Sequence, residues 1–157
     1  MATTSHNPRP AATRDGDRST TGGWQAAPFV SVIIPVRDDP RVATCLAALA
    51  GQTYPQERFE IVVIDNGRLG ASARFVAPYA NVGLFHEPAP GAYAARNRGV
   101  RHARGQVLAF TDADCIPTPR WLAAGVERLS GPDAPDAVGG EIEVVPRDPA
   151  RLTAAEL

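Results

Sequence analysis

Long hydrophobic runs are missing from this sequence. No apolar stretch approaches the roughly 20 residues that cross a bilayer, so no transmembrane span is expected. The first 20 residues lack an apolar core, so no secretory signal is expected either. Cysteine is scarce. Cys45 and Cys115 are the only two and lie seventy positions apart. With no C-x-x-C pair, neither a zinc site nor a disulfide framework is indicated, and a reducing cytoplasm is the matching compartment. Charge of one sign is not in excess. Sixteen basic and 17 acidic residues leave a formal net charge of −1. That balance gives no general electrostatic case for nucleic acid or an anionic membrane surface.

What is present suffices for one globular domain. The 157 residues are 44% hydrophobic and 21% charged, enough to bury a core. The apolar residues are unevenly placed. "MATTSHNPRPAATRDGDRSTTGG" contains no Val, Ile, Leu or aromatic residue. Residues 1–27 therefore read as a disordered tail, unable to offset its own ordering entropy. Trp24 goes with that tail.

From Phe29 the chain alternates between two grammars. "FVSVIIP" (29–35) and "FEIVVID" (59–65) are continuous, β-branched runs that suit strands buried on both faces. "NVGLFHE" (81–87), "QVLAFTD" (106–112) and "DAVGGEIEVV" (136–145) read as further strands. Between them fall helices. Asp39, Pro40 and Gly51 bracket the first as cap, first residue and stop, and Val42, Cys45, Leu46 and Leu49 form its apolar stripe. "ASARFVAPY" and "GAYAARNRGVRHARG" give two more. Thr118, Pro119 and Gly131 bracket a fourth, with Trp121 as a core residue. The order predicts an α/β fold: an open, mostly parallel, Rossmann-like sheet with helices on both faces. Such sheets bind ligands beyond the carboxyl ends of their strands.

The polar signals sit at those ends. "FTDADCIP" places Asp112 and Asp114 just after a strand. Taken alone, a D-x-D is a turn whose aspartate caps the next helix. In an extended segment, residues i and i+2 point the same way, so the two carboxylates, about 5–7 Å apart, can instead share a divalent cation. A magnesium-like ion takes one or two carboxylates and completes its shell with phosphates and water. Cys115 beside them reads as a small core residue, since hard carboxylates argue against a soft site. Asp65, before Asn66-Gly67, reads equally as a turn signal or as an acceptor for a base or ribose.

On the "GAYAARNRG" helix, Arg98, Arg101 and Arg104 share one flank, expected to be solvated. Arg96 points about 200° away from Arg98. It is placed to clamp a phosphate, to pair with the acidic cleft, or simply to face solvent. Ala92, Ala95 and Gly99 are small enough for close helix–sheet approach, and Asn97 is expected to bond a neighbouring loop. His86, a lone histidine at a strand end, reads as structural.

Together "VSVIIPVRDDPRVATCLAALAGQTYP", "FEIVVIDNG" and "GAYAARNRGVRHARGQVLAFTDADCIPTPRWL" resemble the family-two inverting glycosyltransferases of the GT-A fold, over roughly residues 29–145. The resemblance implies a nucleotide-sugar-binding domain over 28–145. It implies a UDP-, GDP- or dTDP-sugar donor and a magnesium or manganese ion. By position it implies that Pro35, Val36 and Arg37 wrap the nucleoside and that Asp65 meets the base. Gly91, Arg96 and Asn97 would border the nucleotide, and Asp112 and Asp114 would meet ribose and metal-bound diphosphate. It implies transfer to an acceptor hydroxyl on a glycan, lipid carrier or metabolite. The expected location is cytoplasmic, with peripheral association at the inner membrane face open.

Family members continue well past the fifth strand. Asp148 and Pro149 look like the start of a helix, so 146–157 reads as the opening of a truncated acceptor region. No catalytic base is assigned. Glu141 and Glu143 lie near the end, but nothing marks either.

Two rival enzyme classes fit less well. A nucleotidyltransferase wants a glycine-rich loop after strand one, and "PVRDDPR" has no glycine. A dinucleotide oxidoreductase wants G-x-G-x-x-G there. A binding module without turnover remains the alternative to the transferase.

Overall fold

The computed structural model describes residues 26–143. The expected tail, apart from its last two residues, lies outside that range. So do Trp24, Val144-Val145 and the helix start at Asp148. Four strands form one parallel sheet: β1 (Val30–Val36), β2 (Phe59–Asp65), β3 (Val82–His86) and β4 (Val107–Phe110), in the order β3-β2-β1-β4. The helices are α1 (Val42–Ala50), α2 (Ala73–Val76), α3 (Ala92–His102) and α4 (Trp121–Arg128). None of them is long and apolar enough to cross a membrane.

Alternation along β1 and β2 builds two cores. Val30, Val32, Ile34 and Val36 pack with Phe59, Ile61 and Val63 against the stripe of α1 and against Leu122 and Val126 of α4. Ile33, Val62 and Ile64 point the other way, onto Ala95 of α3. Every residue of β1 except Pro35 is buried. The run is almost entirely apolar because both faces are covered. Ser31, its one polar residue, donates to Glu60 Oε1 at 2.7 Å and accepts from the backbone N–H of Arg104 and Gly105. It thereby fixes the turn from α3 into β4.

The helix brackets hold with small shifts. At α1 the start moves on to Val42, with Arg41 at its N-cap and no side-chain cap bond, and Asp39 Oδ1 accepts the N–H of Arg41 at 2.9 Å in the turn before the helix. At α4 the expected side-chain cap is replaced. Thr118 uses its carbonyl, which accepts from Trp121 N–H and from Gln52 Nε2. Trp121 packs against the first core.

The fifth strand is a correction. Residues 136–143 form no strand and are exposed throughout. A strand needs a ladder partner, and β4 offers only four residues while Gly139-Gly140 weakens any extended run here. Ala92 also differs: it is exposed, whereas Ala95 and Gly99 are buried against the sheet.

Gly99 carries the close approach of α3. A Cβ there would collide with Ile33, which is fully buried between the layers and cannot swing away. A Cβ on Gly125 of α4 would meet nothing within 4 Å. Helix propensity favours alanine over glycine by about 1 kcal/mol, whereas overpacking costs about 1–3 kcal/mol. Gly99→Ala should therefore lower the urea midpoint and Gly125→Ala should raise it. Equal shifts of the same sign would contradict this packing.

Candidate active site at the carboxyl edge of the sheet

The chain runs outward from β1 to β2 and β3, then returns to place β4 on the other side of β1. The strand order reverses between β1 and β4, where a crevice opens in sheets of this kind. Pro35 helps to open it. Ile33 C=O accepts from Thr111 on the β4 side, and Val36 C=O accepts from Asn66 on the β2 side. Parity therefore turns Pro35 toward β4, past the last β1–β4 pair, Ile33–Phe110. A residue without an N–H is tolerated there because no strand is left to receive one.

Asp112 and Asp114 stand at this crevice, but not as an extended pair. The strand ends at Phe110, and Cys115 N–H closes a turn onto Asp112 C=O at 3.1 Å. Ala113 is buried under the turn while both aspartates are exposed. A turn, rather than strand alternation, presents the two carboxylates. Each is held by an arginine from a different layer. Arg96 of α3 pairs with Asp112, one of the three roles open to it from the sequence. Arg41, at the entry to α1, reaches Asp114 at 3.3 Å.

The neighbouring strand ends are tied together by Asn66. Its Nδ2 donates to the carbonyls of Glu87 and Ala89 at 2.7 Å each, and its Oδ1 accepts Gly91 N–H at 2.9 Å. Gly91 has φ of 111°, a region that favours glycine, as it turns the chain into α3. Asp65 is buried. Its Oδ1 accepts Gly67 N–H and its Oδ2 accepts Ser72 N–H, so its carboxylate shapes the loop after β2. Asp38, at φ 52°, accepts Arg68 N–H and brings the loop after β1 against Gly67.

The nine residues singled out by the sequence thus divide. Arg96, Asp112 and Asp114 come together. Pro35 lies near the end of β1, and Arg37 is exposed just beyond it. The side chain of Val36 lies in the first core, because its parity is that of Val32 and Ile34. The Asp65 carboxylate faces its own loop. Gly91 and Asn97 lie exposed on the α3 side, and among the described residues Asn97 bonds no loop.

The flank of Arg98, Arg101 and Arg104 is not simply solvated. Arg98 and Arg101 approach the buried Glu87 at 3.9 and 3.5 Å, and Arg104 pairs with Glu60 at 2.7 Å. Burial alone would raise the Glu60 carboxyl, but the bonds from Arg104 and Ser31 outweigh it and hold it below the usual range. Sequence reading missed Arg41, Asn66 and Glu87. Asn66 carried a faint signal as half of an Asn-Gly turn. The Arg41–Asp114 contact joins residues far apart in sequence and carried none.

Asp112 and Asp114 offer hard oxygen donors. Among the described residues no group of three His, Cys, Asp or Glu side chains can hold a metal ion. The donor set therefore fits a cation held by two carboxylates and completed by phosphate and water, and does not fit an all-protein cage. A cavity of about 690 Å³ lies elsewhere, at the amino ends of the strands, lined among others by Phe29, Phe59, Glu60, Phe85 and Arg104. Its size is that of a ligand pocket, but it stands at the wrong end of the sheet for the acidic turn.

Beneath that turn, Cys45 Sγ lies 3.7 Å from Asp112 C=O. Burial pushes its thiol up to about 12, with Cys115 and the two aspartates adding to the effect. Cys115 is half-buried. Iodoacetamide at pH 8 should therefore alkylate Cys115 and spare Cys45 until the chain is unfolded. Equal rates on the folded chain would contradict the packing of α1 under the turn.

Comparison with known proteins bears on the family and the fold. The family model described as Glycosyl transferase family 2 matches residues 31–155. The glycosyltransferase AglE of Haloferax volcanii is 42% identical over 122 residues, covering 74% of this chain and 40% of that protein. A validoxylamine A glucosyltransferase of Streptomyces hygroscopicus subsp. limoneus is 32% identical over 117 residues, covering 71% of this chain and 26% of its own. Among solved structures, mannosyltransferase PcManGT from Pyrobaculum calidifontis, in complex with GDP-Man and Mn2+, matches with TM-score 0.62 at 31% identity, over 69% of this chain and 34% of that one. S. aureus TarS 1–349 in complex with UDP-GlcNAc matches with TM-score 0.57 at 25% identity, over 64% and 31%. The chain spans 40% or less of the length of each of these relatives.

Proposed function

Because the chain belongs to glycosyl transferase family 2, we propose that its carboxyl edge is the donor half of a sugar-transfer site, taking a nucleoside diphosphate sugar. One observation carries the reading. The acidic turn Asp112–Asp114 stands at the point where strand order reverses, with Arg96 and Arg41 upon it. GDP-Man in one solved neighbour and UDP-GlcNAc in the other support the donor class.

The chain's own residues take the following parts. Pro35 leaves the crevice open, and Arg37 lines it at the end of β1. Val36 and Asp65 act from beneath. The first anchors the strand end, and the second holds the loop that would border the base. Asn66 and Gly91 set the start of α3, so that Arg96 and Asn97 face the nucleotide. Arg96 orients Asp112 and lies within reach of a phosphate oxygen. Asp112 and Asp114 would hold a magnesium or manganese ion, which supplies Lewis-acid stabilisation of the leaving diphosphate.

In the transfer itself, the acceptor hydroxyl oxygen bonds to the anomeric carbon as the bond from that carbon to the diphosphate breaks, with inversion. The hydroxyl proton passes to a base that no residue of this chain is assigned. A cytoplasmic location goes with the two free cysteines.

A second reading is nucleotide-sugar binding without transfer. It is favoured by the absence, among the described residues, of an acidic side chain marked as the base: Glu141 and Glu143 are exposed on a segment with no regular structure. Sugar transfer by the purified chain alone would exclude it.

Calorimetric titration with UDP, GDP and dTDP, with and without manganese, tests the donor site. One nucleotide should bind with manganese. Asp114→Asn should weaken that binding at least tenfold, as should chelation of the metal. Binding indifferent to both, or none by a chain with a cooperative unfolding transition, would overturn the proposal.

A further inference from the structure

All sixteen basic residues of this chain are arginines. Arg41 uses what distinguishes that side chain. Its guanidinium is a rigid fork of several donors, able to face two carboxylates at once. One side is anchored. Nε lies 3.0 and 3.1 Å from the two oxygens of Asp39, and an Nη lies 2.6 Å from Asp39 Oδ2. The other side only reaches. The second Nη touches Asp114 Oδ2 at 3.3 Å, with no further bond. Asp39 is itself fixed by accepting Arg41 N–H. Arg41 thus stays put whichever way Asp114 turns.

We propose that Arg41 is a tethered counter-ion of Asp114 that competes with the divalent cation for this carboxylate and so sets the metal affinity of the site. The inference rests on the donor-site reading above and adds a residue to it. Two carboxylates one residue apart repel each other. In the absence of metal, Arg41 and Arg96 each neutralise one of them, and the turn keeps its shape. With a cation held at Asp114, Arg41 would lose its one long contact and keep the stronger Asp39 contacts. Its freed Nη would remain beside the crevice as a fixed positive charge. Arg96 differs in having Asp112 as its only acidic partner among the described residues.

The experiment is a water-proton relaxation titration of the full chain with manganese alone, in native protein and in Arg41→Met, Asp114→Asn and Arg68→Met. Arg41→Met should bind manganese about two- to fivefold more tightly, the range expected for releasing one exposed ion pair. Arg68→Met removes the same charge from the neighbouring loop and should change affinity far less. An unchanged or weaker affinity in Arg41→Met, with binding still lost in Asp114→Asn, would overturn this proposal and leave the donor site standing. An equal gain in Arg68→Met would also overturn it, because net charge alone would then account for the effect. Manganese binding absent from native protein would overturn this proposal alone, since the donor site completes its cation with phosphate; manganese binding untouched by Asp114→Asn would overturn it together with the donor-site reading.

Discussion

Strand β1 is hydrogen-bonded on both edges, to β2 and to β4, and packed on both faces. That double pairing is the constraint on which the rest depends. A strand covered on every side must be mostly apolar and β-branched, and in "VSVIIPV" only Ser31, fully hydrogen-bonded, and Pro35 depart from that. Because it is central, the chain has to reverse its order across it. The reversal puts the ends of β1 and β4 beside one another with a gap between them. The acidic turn, the loop entering α1 and the N-terminal half of α3 all open onto that gap.

Electrostatics then decide how the gap is furnished. Two aspartates on one turn are unfavourable unless positive charge is brought to them. The fold brings it from both layers, Arg41 from the α1 side and Arg96 from the α3 side. Each pair is largely exposed, and exposed pairs contribute little to stability, on the order of 0–1 kcal/mol. Their value lies in position. They hold the two carboxylates toward the place where a phosphate-bound cation would arrive. Polar groups beside them hold the loops. The half-buried Asn66 ties three backbone groups of the segment 87–91 to the end of β2, and the buried Asp65 fixes the loop after β2 from inside.

The strands and helices were legible because both periods are clean. "FEIVVID" was bounded to the residue, and the helix stripe Val42, Cys45, Leu46, Leu49 is buried as its spacing demands. The fifth strand was misread because Val and Ile in "DAVGGEIEVV" signal strand propensity, whereas a strand forms only where a ladder partner stands. Asp112 and Asp114 were singled out by their place after a buried run and expected to alternate as in a strand, whereas a turn presents them: sequence cannot distinguish the last residue of a strand from the first of a turn. Arg41 was invisible because its meaning lies in Asp114, contributed by a distant part of the chain. Val36 was expected at the ligand and belongs to the core, since strand parity sets its side.

The central claim is that the carboxyl edge, and not the cavity at the amino ends, receives the nucleotide. The most direct measurement is a crystal structure of the chain soaked with UDP, GDP or dTDP and manganese, with the ion located by anomalous scattering. The account predicts a manganese peak within coordination distance of Asp112 and Asp114, and a diphosphate beside Arg96 and Arg41. A nucleotide lodged among Phe29, Phe59 and Arg104, with no ion at the acidic turn, would contradict it.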